Sequence, residues 1–158
     1  MYTVQGGKFE RTDIWREGKW LDLWSVVHLL SGVSVGFGLY FLHLGVFASV
    51  VIAFLAFVLY EMWEAIVKIE EEPTNRFMDV VVGMSGFLPA FFVAPMLSQI
   101  LCILGFGLVL TANVVMSVFG WRASQKAAAL ERRMRERYAK ERARLIHQKS
   151  KLSRRFRR

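Results

Sequence analysis

Residues 78–120 read MDVVVGMSGFLPAFFVAPMLSQILCILGFGLVLTANVVMSVFG, and more than forty consecutive positions after Asp79 carry no formal charge. A helix that crosses the hydrocarbon core of a bilayer needs roughly 20 mostly apolar residues. This stretch is therefore too long for one crossing. Pro89 and Pro95 interrupt it, and Ser98 and Gln99 are its most polar neighbours. The reading is two spans, about 78–97 and 100–120, the first kinked where the Pro89 ring removes a backbone hydrogen bond. Working outward, two further apolar stretches cover about 23–42 and 44–67, with His43 and Gly45 marking the turn between them.

Composition agrees. Hydrophobic residues make up 54% of the 158, yet the formal charge is +8. The two coexist because they are segregated. Between Leu23 and Gly120 the only formal charges are Glu61, Glu64, Lys68, Glu70, Glu71, Glu72, Arg76 and Asp79. From Trp121 onward there are fifteen Lys and Arg against three Glu, a net +12. A soluble fold is excluded on this pattern. The single cysteine, Cys102, lies in an apolar run, which excludes an intrachain disulfide framework and suits a small packed hydrophobe. The first twenty-two residues carry four cations and four acids, so no cleavable signal is expected there.

Charge also orients the spans. Lys and Arg near span ends stay on the cytoplasmic side. With four spans the N-terminal segment, the 68–76 loop and the tail share one side, and every Lys and Arg lies there. Three spans would put the basic tail opposite the N-terminal segment. The expected fold is thus all-α: a four-helix transmembrane bundle (23–120) between a cytosolic N-terminal segment (1–22) and a basic amphipathic cytosolic helix and tail (121–158). The expected location is the bacterial cytoplasmic membrane, with both termini cytosolic.

Ionisable groups inside a bilayer cost about 2.5–3.5 kcal/mol on insertion scales and are functional candidates by default. Ser25, His28, Gly32 and Gly36 recur at helical spacing on one face of the first span. Glu61, Glu64 and Lys68 do so on the second, and Asn75, Asp79, Gly83 and Gly86 on the third. At 1.5 Å per residue His28 lies about 8 Å into its span and the two glutamates roughly 4–9 Å into theirs. His28, Glu61, Glu64 and Asp79 are therefore read as one polar pocket facing the cytosol, with candidate catalytic roles. The competing reading is a buried network that locks helices together, and Glu64 with Lys68 has the favourable i,i+4 order for an ion pair. Gly32, Gly36, Gly83 and Gly86 are read as close-packing positions. Oxygen donors with one imidazole would suit a divalent cation such as Mg²⁺ or Mn²⁺, although no spacing here is diagnostic of a metal. A non-enzymatic scaffold and ion or proton transfer are the contrasting functions.

Residues 121 to about 150 read as helix, uninterrupted by Gly or Pro. Leu130, Met134, Tyr138, Leu145 and Leu152 trace a sparse apolar stripe. Beside a bilayer, anionic lipid headgroups are the favoured partner of such a tail. Pairing with another chain ranks second, which leaves a homo-oligomer open, and nucleic acid ranks last.

The strings LWSVVHLLSGVSVG (23–36), LYEMWEAI (59–66) and NRFMDVVVGMSG (75–86) together resemble the small VanZ-like membrane proteins. The resemblance covers roughly 23–92. It aligns His28 with that family's His, Glu61 and Glu64 with its acidic pair, Asp79 with its later Asp and Gly86 with its closing Gly. The acidic pair is Glu-x-x-Glu where the family has a Gln in second place, and Gly83 stands where it has Asn. The resemblance implies an envelope protein, linked in some members to glycopeptide resistance, and a lipid-linked or amphiphilic substrate for any chemistry at these residues.

Overall fold

The computed structural model describes residues 2–5, 8–11, 14–16, 18, 20–67 and 73–155. Lys68, and with it the Glu64–Lys68 pairing, lies outside them, as does the side chain of Leu152. The described residues are all-α in class, with four long helices and one short addition that the sequence reading did not include. That addition is an antiparallel hairpin of β1 (Tyr2–Gln5) and β2 (Lys8–Arg11), with Tyr2 opposite Arg11 and Gln5 opposite Lys8. The helices are α1 (Leu23–Phe41), α2 (Val46–Ile66), α3 (Pro73–Val93) and α4 (Gln99–Arg155). All four are long and apolar enough to cross a membrane, which fits a multi-pass membrane protein.

Two compact units divide the chain. One comprises residues 14–121 and holds α1, α2, α3 and the first part of α4. The other joins the hairpin to residues 122–158. In that second unit Glu131 and Arg135 pair one helical turn apart, with Arg135 Nε donating to Glu131 Oε1 at 2.7 Å. Leu130, Tyr138 and Leu145 of the apolar stripe are exposed there, and Ala127 is buried.

Local chemistry sets the helix ends. Asp22 caps α1: its Oδ1 accepts from the backbone N–H groups of Trp24 and Ser25, and Ser25 Oγ accepts from the N–H of Asp22, a capping box. His43, with φ of 53°, makes the left-handed turn that follows α1, and Gly45 opens α2. Pro73 occupies the first position of α3, where its missing N–H is harmless. Helix α3 thus begins five residues before the expected span, with Asn75 and Asp79 inside it. It runs through Pro89 to Val93, and a single 3₁₀ turn, Ala94–Met96, ends it beside Pro95. The break near Ser98 falls where the sequence placed it. Helix α4, by contrast, is one continuous helix across the apolar-to-basic boundary at Trp121.

The seam between α1 and α3 organises the first unit. The two helices run parallel, since paired positions rise together: Ser25 with Asp79, Gly32 with Gly83, Gly36 with Ala90. A Cβ on Gly32 would collide with the carbonyl of Gly83, and one on Gly86 with the carbonyl of Leu29. On Gly36 it would come within 2.8 Å of both Ala90 and the Phe87 carbonyl. Gly83 instead receives the ring of Phe57 from α2, about as close as 2.9 Å to where its Cβ would stand. All four glycines are buried and serve helix packing. Beside and below them Leu39, Ala53, Phe57, Phe87 and Phe91 form the apolar core. Cys102 packs with Phe37, Ala90 and Ala94, its thiol donating to the Ala94 carbonyl at 3.1 Å.

Overpacking of such a seam costs about 1–3 kcal/mol. Gly32→Ala and Gly86→Ala should each lower the thermal unfolding midpoint of the detergent-solubilised protein. Gly38, with open space around it, is the control: Gly38→Ala should be neutral or stabilising by about 0.5–1 kcal/mol. Equal behaviour of all three would contradict the seam.

Candidate functional site

The same two helical stripes that bring α1 and α3 together end, at the N-terminal ends of both helices, in polar side chains. Above the Gly32–Gly83 contact the stripe on α1 continues to His28 and Ser25, and that on α3 to Asp79 and Asn75. Helix α2 runs the other way, so its C-terminal part delivers Glu61 to the same level. Buried polar groups need partners, and here they are close. Ser25 Oγ donates to Asp79 Oδ1 at 2.9 Å, and Asn75 Nδ2 approaches Asp79 Oδ2 at 3.3 Å. Asn75 Nδ2 also reaches Asp22 Oδ2 at 3.1 Å, and the same Asp22 oxygen accepts from the N–H of Gly18 at 2.7 Å. The cap of α1 is thereby tied to the first turns of α3.

His28 stands between two carboxylates from two other helices. Its Nδ1 is 3.8 Å from Glu61 Oε1, and its Nε2 is 3.8 Å from Asp79 Oδ2. Those separations exceed a direct hydrogen bond, for which 2.7–3.2 Å is usual. They suit electrostatic attraction, or groups arranged around a small third body. One donor atom from each of His28, Glu61 and Asp79 falls within 4.8 Å of the other two. The three are buried, Asp79 at 2% exposure, so the centre is enclosed by the helices. The ring of Tyr60 meets His28 edge-on, centroids 5.7 Å apart, while Tyr60 itself is 45% exposed. Next to it lies Trp63, also exposed on the outer surface of α2.

Of the four residues singled out as candidates, the structure brings together His28, Glu61 and Asp79. Glu64, one turn further along α2, is half-buried and stands outside that three-residue group. Two contributors escaped the sequence reading. Asp22 was assigned to the polar N-terminal segment, although Asp-x-x-Ser before an apolar run is a capping signal. Asn113, the one amide within the expected fourth span, donates through Nδ2 to Ser31 Oγ at 3.0 Å and ties α4 to α1. An amide inside a span is a signal for such interhelical bonding.

These features define a class: a multi-pass membrane protein with a buried histidine–carboxylate centre at one end of its bundle. A His/Glu/Asp triad of this kind could in principle hold a metal ion. Comparisons of the chain with protein-family models, with curated proteins and with solved structures return no match.

Proposed function

We propose that this chain is a VanZ-like protein of the bacterial cytoplasmic membrane whose His28–Glu61–Asp79 centre engages the polar head of a lipid-linked or amphiphilic molecule. Both termini are cytosolic in this reading, because all Lys and Arg then lie on the cytoplasmic side. The centre accordingly sits at the cytosolic level of the bundle. The observation that carries the proposal is the position of Tyr60, which touches buried His28 and is itself exposed on the apolar outer surface of α2. Tyr60 thus links buried His28 to the apolar outer surface of α2. An amphiphile could keep its chain in lipid and place its head at the centre. The centre offers the bound head one imidazole and two carboxylates as ligating or proton-accepting groups.

A scaffold is the second reading, and the Ser25–Asp79–Asn75–Asp22 bonds favour it, since they join α1 to α3 whatever else the centre does. Native mass spectrometry of the protein extracted from its own membrane separates the two. The engagement reading expects wild type to retain a lipid that His28→Ala and Tyr60→Ala lose while both variants remain folded, with a cooperative thermal transition. Identical retained lipids in all three, or loss of lipid only together with loss of fold, would favour the scaffold.

For the basic helix the proposed partner is anionic lipid, each cation near such a surface contributing about 1 kcal/mol. In nanodiscs, anionic lipid should slow tryptic cleavage within residues 122–149 relative to zwitterionic lipid. Salt at about 1 M, where charges are screened within about 3 Å, should remove the protection. Cleavage at the same rate in both discs would sink this part of the proposal.

A further inference from the structure

We propose that His28, Glu61 and Asp79 are the ligands of one divalent cation, of the Mn²⁺ or Zn²⁺ type, and that the cation receives a phosphate oxygen of the amphiphile's head. The first half stands on the geometry alone. The second rests on the proposed function and names its substrate class.

The donor atoms come from three different helices and meet inside the bundle, each within 4.8 Å of the others. Metal–donor bonds of about 2.0–2.2 Å hold two ligands of one ion no more than about 4.4 Å apart. Closing the site takes a contraction of a few tenths of an ångström in the widest separation and one carboxylate turned toward the nitrogen that binds. The ion takes a single imidazole nitrogen, so one of the two 3.8 Å separations falls inside that limit as it stands: Nδ1 to Glu61 or Nε2 to Asp79. Two carboxylates and a neutral imidazole balance a charge of +2, which offsets the cost of holding two acids within the bundle.

The donor set selects the ion. One nitrogen with carboxylate oxygens suits Mn²⁺ or Zn²⁺, whereas Ca²⁺ takes six to eight oxygens and sulfur-seeking ions find none of their ligands here. The surroundings are those of a metal ligand as well. Asp79 is oriented by Ser25 and Asn75, and Asn75 in turn by Asp22. Outer hydrogen bonds of that kind fix ligand direction and raise affinity. Three protein ligands leave coordination positions open, and divalent ions commonly fill such positions with phosphate oxygens.

The test uses the full chain, purified in detergent, stripped with chelator and titrated with Mn²⁺ under electron paramagnetic resonance. Wild type should bind about one Mn²⁺ per chain and display nitrogen modulation from a directly bound imidazole. His28→Ala should lose that modulation. Glu61→Gln and Asp79→Asn should each weaken binding by at least about tenfold. Glu64→Gln, His43→Ala and His147→Ala should retain both properties. Absence of binding, or nitrogen modulation that survives His28→Ala, would overturn the cation. The wild-type modulation keeps the test decisive even where a variant does not fold.

Octyl phosphate, octanol and inorganic phosphate added to the Mn²⁺-loaded protein then test the substrate class. A linewidth change with octyl phosphate alone supports an amphiphilic phosphate. A change with inorganic phosphate to the same degree overturns the lipid source and leaves the cation standing. Octyl phosphate binding that is equal with and without Mn²⁺ overturns this inference and leaves the proposed function standing.

Discussion

The close approach of α1 and α3 is the constraint on which the rest of the structure depends. Without water to drive apolar surfaces together, helices in a bilayer associate where small residues let backbones approach. Gly32, Gly36 and Gly86 supply that contact, and Gly83 admits the ring of Phe57, so α2 joins the same seam. Parallel alignment of α1 and α3 follows from the pairing of these positions. It also places the N-terminal ends of both helices side by side, with the C-terminal part of α2 beside them. The polar centre inherits its position from the glycines. Move the seam by one turn and Ser25 no longer reaches Asp79.

The centre, in turn, is held from both ends. Below it the seam fixes the spacing of the helices. Above it the Asp22 cap binds the first turn of α1 and reaches across to Asn75 on α3. His28 therefore does not have to hold the helices together by itself. Its separation of 3.8 Å from each carboxylate is what remains when backbone packing, rather than the imidazole, sets the distance. That division of labour is what allows a structural network and a binding centre to share residues. Ser25 and Asn75 orient Asp79, and Asp79 is still within reach of His28.

Much of this was legible in the sequence because helical periodicity survives in a membrane. The stripes Ser25–His28–Gly32–Gly36 and Asn75–Asp79–Gly83–Gly86 could be read directly, and they are the two faces of the seam. Which glutamate turns inward could not. Glu61 and Glu64 differ by three residues and so by only about 60° around the helix; the choice falls to the rotation of α2, set by Ala53 and Phe57 in the core. The continuity of α4 was hidden by a change of composition at Trp121, because helical hydrogen bonding is indifferent to whether the side chains are apolar or basic. Gly120 at that boundary reads as a helix end, yet it lies within the helix and gives room to the rings of Trp15 and Trp24. The hairpin was overlooked although Gly6 and Gly7 separate two short segments with β-forming residues, a recognised hairpin signal.

The central claim is that His28 on α1 and Asp79 on α3 belong to one coupled centre and not to two independent helix surfaces. A double-mutant cycle on thermal stability in detergent tests it most directly, with His28→Ala, Asp79→Asn and the pair, and with Glu64→Gln in place of Asp79→Asn as the parallel cycle. The account predicts a coupling energy of about 0.5–3 kcal/mol between His28 and Asp79 and additivity, within about 0.5 kcal/mol, between His28 and Glu64. Additive behaviour of His28 with Asp79 would contradict it.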